Sequence, residues 1–560
     1  MRRIINPLLC AVISGWLFVN GMQAQTLKNS TAIVDHEVAE KWRADLRYFA
    51  QEMPKRHKDL YHLMTREQFE SAVKSLDARI PALTREQIII ELDRIVAMVG
   101  DGHTRIQGFP FDPKIGFRSY PISLYLYKDG LFVQAAEPKH REIVGARVVK
   151  IGDASAEQGL NAVRDLVCRD GDNDMSIKAF APVLLVTAEV LRAVGLVSDI
   201  ENARFTVERD GRQETVILKP TVEHFTSNHG PSVTRPANWI DARDAASAPT
   251  PLWLKDPQNY FWFEYLPDTR SVYVQYNTVA NKDSETVADF AKRLFSFVDA
   301  HPVDRFILDV RLNGGGNNYL NRPLLLGIIK SKIDQRGKLF TIIGRETFSA
   351  AQSFVDELEK YTNTIFVGEP TGESVNQFGD PAHIDLPNSG ITVRASTLWW
   401  QFMDPRDTRK WTAPQIAADL TSVDYRDNVD PAMNAILRFV PKKDLSEQLR
   451  DALAAKDAVL VVSRYRAFKS DPENEYVSTE RILNNLGYEL LGKKRFDEAI
   501  EILKLNVESY PKSSNAYDSL GEAYMMSGNK ELAIRNYEKA LELNPANAGA
   551  LEALKKLQGK

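Results

Sequence analysis

A serine, a histidine and a run of glycines are the residues of this chain whose setting suits them to chemistry. Ser349 lies in FTIIGRETFSAAQSFVDEL, where an apolar stretch beginning at Phe340 passes into a segment of helical periodicity. A hydroxyl at such a junction sits among backbone N–H groups that lack intrahelical partners, at the positive end of the helix dipole. That setting suits the oxyanion formed when a nucleophile attacks a carbonyl. Serine is a weak nucleophile until a base takes its proton, so the base must come from elsewhere in the chain. Of the nine histidines, His103 stands apart: it lies in VGDGHTRIQG, a glycine-rich turn directly after the amphipathic run IIIELDRIVAMVG. A loop there can carry a side chain into a cleft, although a lone loop histidine is most often only a surface or capping group.

Gly314, Gly315 and Gly316 close the second informative run, FILDVRLNGGGNN. They form either a plain turn after a strand or a place where backbone N–H groups approach a substrate oxygen with no Cβ in the way. The triplet lacks the spacing of a dinucleotide fingerprint, and no Lys-Ser or Lys-Thr follows to make a phosphate loop. There is no His-Glu-x-x-His, no cysteine pair and no tight histidine cluster, so neither a metal nor another cofactor is expected.

The chain has 560 residues, 44% hydrophobic and 26% charged, with a net charge of −4. This length calls for about three or four domains. The near-neutral balance argues against nucleic acid as a partner. A basic start (Met1, Arg2, Arg3), an apolar stretch from Leu8 to Val19 and small or polar residues up to Ala24 read as a signal peptide over 1–24. Its apolar part falls short of the roughly 20 residues that span a bilayer, so an exported protein, periplasmic or secreted, is expected without stable membrane insertion. Loss of that segment removes Cys10 and leaves Cys168 alone, with no intrachain disulfide.

Residues 25–111 are expected to form a helical subdomain that ends in the GDGHT turn. Two capping boxes mark helix starts there, Thr65 to Gln68 and Thr84 to Gln87, each with an apolar staple: Met64 with Phe69, and Leu83 with Ile88. From 112 to 220, short alternating runs surround a helical stretch near Ala156 to Val167. The run IVGARVVKIGDASAEQGLNAVRDLV resembles the strand-then-helix part of a PDZ-like domain, a module that binds peptide termini at a sheet edge. A small β-rich domain without a ligand is the plainer alternative. Residues 221–254 are polar, without sustained periodicity, and read as a linker. From 255 to 441, apolar strands (SVYVQY, FILDV, LFTII, TIFVG, ITVRAS) alternate with helices (VADFAKRLFSFVDA, AAQSFVDELEKY), the pattern of an α/β core. In 442–560, Leu486, Gly487, Ala499 and Pro511 recur 34 residues later as Leu520, Gly521, Ala533 and Pro545. That period resembles tetratricopeptide helix pairs, which either present a groove to a protein partner or brace the fold.

Taken in order, GDGHT, the PDZ-like segment, DVRLNGGGN, GRETFSAAQ and FVGEPTGES resemble the C-terminal processing (tail-specific) serine peptidases, in particular their tricorn-like branch. The resemblance runs from Trp42 to Leu437. It implies a multidomain α/β peptidase with Ser349 as nucleophile, and an oxyanion hole made by the N–H of Ala350 with one from the Gly314 to Gly316 turn. Members that use a lysine base carry it where this chain has Glu373, which excludes a Ser/Lys dyad at that position. The tricorn-like branch pairs its serine with a histidine from a GDGHT-like motif, which implies His103 as general base. It also implies an acidic residue shortly before a proline near the end of the core, for which Asp407, ahead of Pro414, is preferred over Asp404. Glu373 is the second-choice acid, its plainer reading being an exposed turn carboxylate. The branch often has a small hydroxyl residue before the histidine, where this chain has Gly102. The implied substrate is a flexible or unfolded polypeptide, engaged near a terminus and cleaved through an acyl-enzyme. A non-catalytic peptide-binding scaffold and an esterase remain as alternatives.

Overall fold

The architecture is given by a computed structural model that describes residues 32–222, 236, 238–455 and 457–559. The segment read as an export signal lies outside the described residues. Three helices open the fold: α1 (His36–Arg56), α2 (Arg66–Arg79) and α3 (Arg85–Ala97). Both expected capping boxes are formed, with Thr65 and Thr84 each accepting from the backbone three residues on and the paired Gln68 and Gln87 reaching back. The staple residues Met64, Phe69 and Ile88 are buried beside the helices they start. After α3 the chain turns through GDGHT into the short strand β1 (Arg105–Ile106).

The middle region is a mainly antiparallel sheet of β2 (Ile122–Tyr127), β3 (Gly130–Ala136), β4 (Arg147–Ile151), β5 (Ala154–Ser155), β6 (Ala203–Arg209), β7 (Arg212–Leu218) and β8 (Ile240–Asp241). Its path is β2-β3-β4-β6-β7, with β5 on β4 and β8 on β3. The helices α4 (Ala156–Val163), α5 (Asp174–Leu184) and α6 (Ala188–Ala193) interrupt it. The expected helix after Ser155 is present, whereas α5 and α6 fall in a stretch between the expected strands to which no element was assigned. Strand β8 comes from the segment read as a linker: Ala135 and Ala136 of β3 pair with Asp241 and Ile240, which ties that segment to the sheet.

The α/β core begins with α7 (Leu252–Lys255) and the antiparallel pair β9 (Phe261–Leu266) and β10 (Ser271–Tyr276). Then follow α8 (Val287–Ala300), β11 (Arg305–Asp309), α9 (Arg322–Lys330), β12 (Leu339–Ile343), α10 (Ala350–Tyr361) and β13 (Ile365–Gly368). A long hairpin, β14 (Asn376–Asp385) and β15 (Thr392–Gln401), leaves the core before β16 (Ile416–Ala417) rejoins it; α11 (Ser422–Arg426) and α12 (Pro431–Arg438) finish the region. The strand order is β16-β13-β12-β11-β10-β9, and β10 through β13 with β16 run parallel. Parallel strands covered on both faces read as near-continuous apolar runs, which is what FILDV and LFTII are. Val272, Phe306 and Leu308 pack with α8 to α10 on one face, while Tyr273, Ile307 and Phe340 pack with α12 on the other.

The β14–β15 hairpin does not stay with the core. β15 pairs with β1 to make a three-stranded sheet, and its Val393 and Ala395 are buried in the same apolar cluster as Trp42, Phe49 and Ile89 of the N-terminal helices. The hairpin thereby draws the GDGHT turn up against the edge of the core where Ser349 emerges.

The C-terminal region stacks α13 (Leu445–Ala454), α14 (Ala458–Ser470), α15 (Glu480–Gly492), α16 (Phe496–Ser509), α17 (Ser514–Met526), α18 (Lys530–Leu543) and α19 (Ala548–Gln558). The 34-residue period has a direct packing cause. A Cβ on Gly487 would lie 2.7 Å from Leu503, and one on Gly521 would lie 3.1 Å from the Tyr537 ring, so each pair crosses closely at equivalent places. The stack is moored to the rest of the chain by Tyr476, whose hydroxyl donates to Asp419 at 2.5 Å, and by the Lys128 to Glu475 ion pair at 2.7 Å. Among the described residues no helix is long and apolar enough to cross a membrane. Replacing Gly521 with Val is expected to push Tyr537 out of its crossing and destabilise the stack by about 1–3 kcal/mol, the usual range for overpacking. Thermal melts followed by circular dichroism would show this as a lowered transition for the helical signal.

Candidate active site

Two neighbouring parallel strands bring the glycine turn and the serine together. Because β11 and β12 are adjacent and run the same way, their C-terminal ends open at one edge of the sheet, where open α/β sheets place their ligands. The loop after β11 carries Gly314 to Gly316, and the loop after β12 carries Ser349. Asn313 fixes their mutual position. Its side chain donates to Tyr276 O at 2.8 Å and accepts from Gly315 N at 2.9 Å, while its own carbonyl accepts from Phe348 N at 3.0 Å. Sequence reasoning passed over Asn313, although its place directly before the glycines was the available signal. Further back, Arg311 grips both Asp309 and Asp430 and holds the start of the loop against α12.

Ser349 has φ 58° and ψ −127°, a left-handed backbone that costs a non-glycine residue roughly 1–3 kcal/mol. The strained turn keeps its side chain from capping α10 and turns it outward. Its Oγ lies 2.9 Å from Nε2 of His103, 246 residues away in sequence. The structure therefore brings together the two residues that sequence reasoning chose as nucleophile and base.

Behind His103 stands Glu373. Its Oε1 is 3.0 Å from His103 Nδ1, at an angle short of a linear hydrogen bond, and its Oε2 accepts the backbone N–H of Ser349. Glu373 is fully buried, not an exposed turn carboxylate. The preferred acid, Asp407, does not face the histidine. It is chelated by the Arg409 guanidinium, which also bridges to Glu359, while Asp404 is held by Arg406. A neighbouring arginine captures each of these two aspartates, and the position in front of Nδ1 is occupied by the residue that stands where a lysine would otherwise be.

Burial presses both partners of this pair toward their neutral forms. Desolvation, partly offset by the charge of Asp101, brings His103 down to about 4, and burial pushes the Glu373 carboxyl well above its usual range. The imidazole is thus uncharged near neutral pH and able to accept the Ser349 proton.

The glycine turn divides its roles. The Gly315 N–H is donated to Asn313, so it is not free to hold an oxyanion, contrary to the expectation for that residue. Gly315 serves instead by lacking a side chain: with φ +102°, a Cβ there would fall 2.5 Å from Ser349 Cβ. Among the described residues the amides of Gly314, Gly316 and Ala350 donate to no protein group, and all three residues line a cleft of about 620 Å³ at Ser349. That of Ala350 is free because it opens α10.

The loops that carry base and acid are stapled by one side chain. Asp170 accepts from Gly102 N at 2.8 Å and from Ser374 N at 3.0 Å, joining the residue before His103 to the residue after Glu373. Asn173 and Ser176 continue the seam through the carbonyls of Thr371 and Gly372. Asp101, buried under the turn, accepts from His103 N at 2.8 Å, from Thr104 Oγ1 at 2.6 Å and from His57 Nε2 at 3.1 Å. Gly102 is explained by packing: a Cβ there would meet the Phe348 ring at 2.9 Å, and that ring lies 4.6 Å from the His103 ring. Among the described residues no group of three or more His, Cys, Asp or Glu is placed to hold a metal.

The fold that holds this site is shared with solved structures of CPAF, and it is joined to tetratricopeptide repeats. Among solved structures, mature CPAF complexed with lactacystin matches with a TM-score of 0.51 at 12% identity, over 75% of this chain and 100% of that one. A serine-to-alanine mutant of CPAF matches with a TM-score of 0.50 at 11% identity, over 73% of this chain and 99% of that one. The photosystem II D1 C-terminal processing protease matches at 13% identity with a TM-score of 0.33, over 71% of this chain and 99% of that one. Two family models, each described as tetratricopeptide repeat, match residues 480–513 and 514–547. No curated protein matches the chain.

Two outcomes are expected of the acid. A Glu373→Gln side chain keeps one acceptor oxygen for the two N–H groups that the carboxylate serves. The amide nitrogen then faces Nδ1 and selects the wrong tautomer. Phosphonate labelling of Ser349 should slow on the order of 10³- to 10⁴-fold, with the fold kept. For the native protein the sign of the pH dependence follows from the raised carboxyl. As pH falls through that elevated value, Glu373 takes a proton, loses its acceptor at Oε1 and ceases to support the base. The acid limb of the labelling rate should therefore lie above the 4.5 usual for glutamate. A limb below pH 4 would show that the acid does not govern the base.

Proposed function

We propose that this chain is a serine peptidase that works through an acyl-enzyme, with Ser349 as nucleophile, His103 as general base and Glu373 as the acid that orients it. The observation that carries the reading is the 2.9 Å contact between His103 Nε2 and Ser349 Oγ, made beside amides that donate to nothing else. In the proposed cycle His103 takes the serine proton as Oγ attacks a peptide carbonyl. The N–H of Ala350, with that of Gly314 or Gly316, holds the tetrahedral oxyanion, and His103 then protonates the leaving amine. Water, deprotonated by the same histidine, releases the acyl group.

Support for a polypeptide as substrate comes from the protease fold and from the open cleft, whose walls are β14 and β15 on one side and the glycine turn on the other. The middle sheet, read as a PDZ-like module, and the helical repeats are proposed to engage the substrate or a protein partner through peptide segments. Cleavage near a terminus and an exported location belong to the same proposal, the latter resting on the character of residues 1–24. No specific observation favours the scaffold or esterase alternatives: a strained serine against a buried imidazole has no use in a binder.

Ser349→Ala is expected to abolish hydrolysis of an unfolded polypeptide while leaving the thermal transition and peptide binding in place. In the native protein a serine-directed phosphonate should modify Ser349, and His103→Ala should suppress that modification. Undiminished turnover by Ser349→Ala would remove the serine mechanism.

A further inference from the structure

Beside the proposed catalytic residues lies a pair of arginines with no counter-charge in contact among the described residues. Arg105 of β1 stands directly opposite Arg394 of β15, and Arg394 in turn stands opposite His383 of β14. Cross-strand partners of this kind have their Cβ atoms about 4.5–5.5 Å apart, and like charges so placed destabilise a sheet. Both arginines are half-buried and both line the cleft that contains Ser349 and His103. Among the described residues neither guanidinium makes a hydrogen bond or an ion pair. Arg394 Nε is buried without a partner, and the Arg105 guanidinium rests 5.8 Å over the Phe348 ring.

The contrast with other arginines of this molecule is plain. Arg311, Arg345 and Arg409 are each met by a carboxylate through two nitrogens. Asp380, the acid that shares the cleft, is instead held by Trp400 Nε1 at 2.6 Å. Burial, together with the charge of Arg105, brings Arg394 down to about 10, a sign of a cation short of compensation. Two forked donors facing one cavity, unpaired and close to each other, are complementary to a planar anion with two oxygens.

We propose that Arg105 and Arg394 form a carboxylate-binding subsite that fixes the register of the substrate against Ser349. The carboxylate is either the free C-terminus of the polypeptide or an acidic side chain near the scissile bond. The proposal deepens the peptidase reading and rests on it for the meaning of register, although binding of the carboxylate does not require turnover. Arg105 lies two residues beyond His103 and lines the same cleft as Arg394, so a carboxylate held there places the neighbouring peptide bond within that cleft.

The test uses two matched pairs of fluorogenic peptides. One pair differs only in a C-terminal carboxylate against an amide, and the other, amidated throughout, differs only in an internal Glu against Gln. In the native protein one pair should show a kcat/KM ratio favouring the carboxylate on the order of 10- to 100-fold, the range of hydrogen bonds to a charged group. The pair that shows it identifies the source. The ratio should collapse toward one in Arg394→Gln and in Arg105→Gln, and Arg394→Lys should keep only part of it. Phosphonate labelling of Ser349 shows that each variant remains folded at the site. The same peptides are titrated against Ser349→Ala protein. A carboxylate preference in Kd without any turnover by the native protein would overturn the peptidase reading and leave the subsite standing. Turnover with no preference in either pair, or a preference that survives both glutamine variants, overturns the subsite.

Discussion

The contact between His103 and Ser349 joins two parts of the molecule that fold around different apolar cores, and the rest of the structure can be understood as what holds that contact in place. On one side, the parallel order of β11 and β12 sets the serine beside the glycine turn, and Asn313 locks the two loops to each other. On the other, the GDGHT turn hangs from α3 and is pinned from beneath by Asp101 and from the side by Asp170. Glu373 belongs to both: one oxygen faces the His103 ring and the other accepts the amide of Ser349. A carboxylate used in this way makes the separation of the two residues depend on a single rigid group.

Much of the frame was legible in the sequence because it rests on local rules. The capping boxes at Thr65 and Thr84, the apolar strands that became β10 to β13 and β15, the helices α8 and α10, and the 34-residue repeat all follow from periodicity and end signals. Ser349 and His103 were legible as candidates for a related reason, since a hydroxyl at a strand-to-helix junction and a histidine in a glycine turn are unusual settings. The acid was not. Which carboxylate faces Nδ1 depends on burial and on competition from arginines, and the sequence does not show that Arg409 takes Asp407 while the loop after β13 turns Glu373 inward. Gly315 was misjudged for the same reason, because a side chain two residues earlier consumes its amide. The long β14–β15 hairpin leaves its own domain to complete the sheet of another, a choice made by tertiary packing of Val393 and Ala395 rather than by any local pattern.

The C-terminal repeats stand apart from the cleft at Ser349. They have their own apolar cluster and are tied to the remainder by polar contacts at Asp419 and Glu475. Asp419 lies beside β16, at the far edge of the core sheet from β9. The repeats are thus braced against the same sheet that presents Ser349 without entering the cleft.

The seam drawn by Asp170, Asn173 and Ser176 has a mechanical meaning. It runs between the body that carries the imidazole and the body that carries the hydroxyl, alongside an apolar cluster in which Tyr125, Tyr127 and Phe132 of the middle sheet meet Trp253, Leu312, Leu420 and Tyr425 of the core. A shift of one body against the other by about 1 Å would misalign the imidazole and the hydroxyl, and a misplacement of that size is worth on the order of 10²-fold in rate. The competence of the centre is therefore a property of how two lobes are shimmed together, and anything that loosens or tightens that joint acts as a throttle without touching the reacting groups.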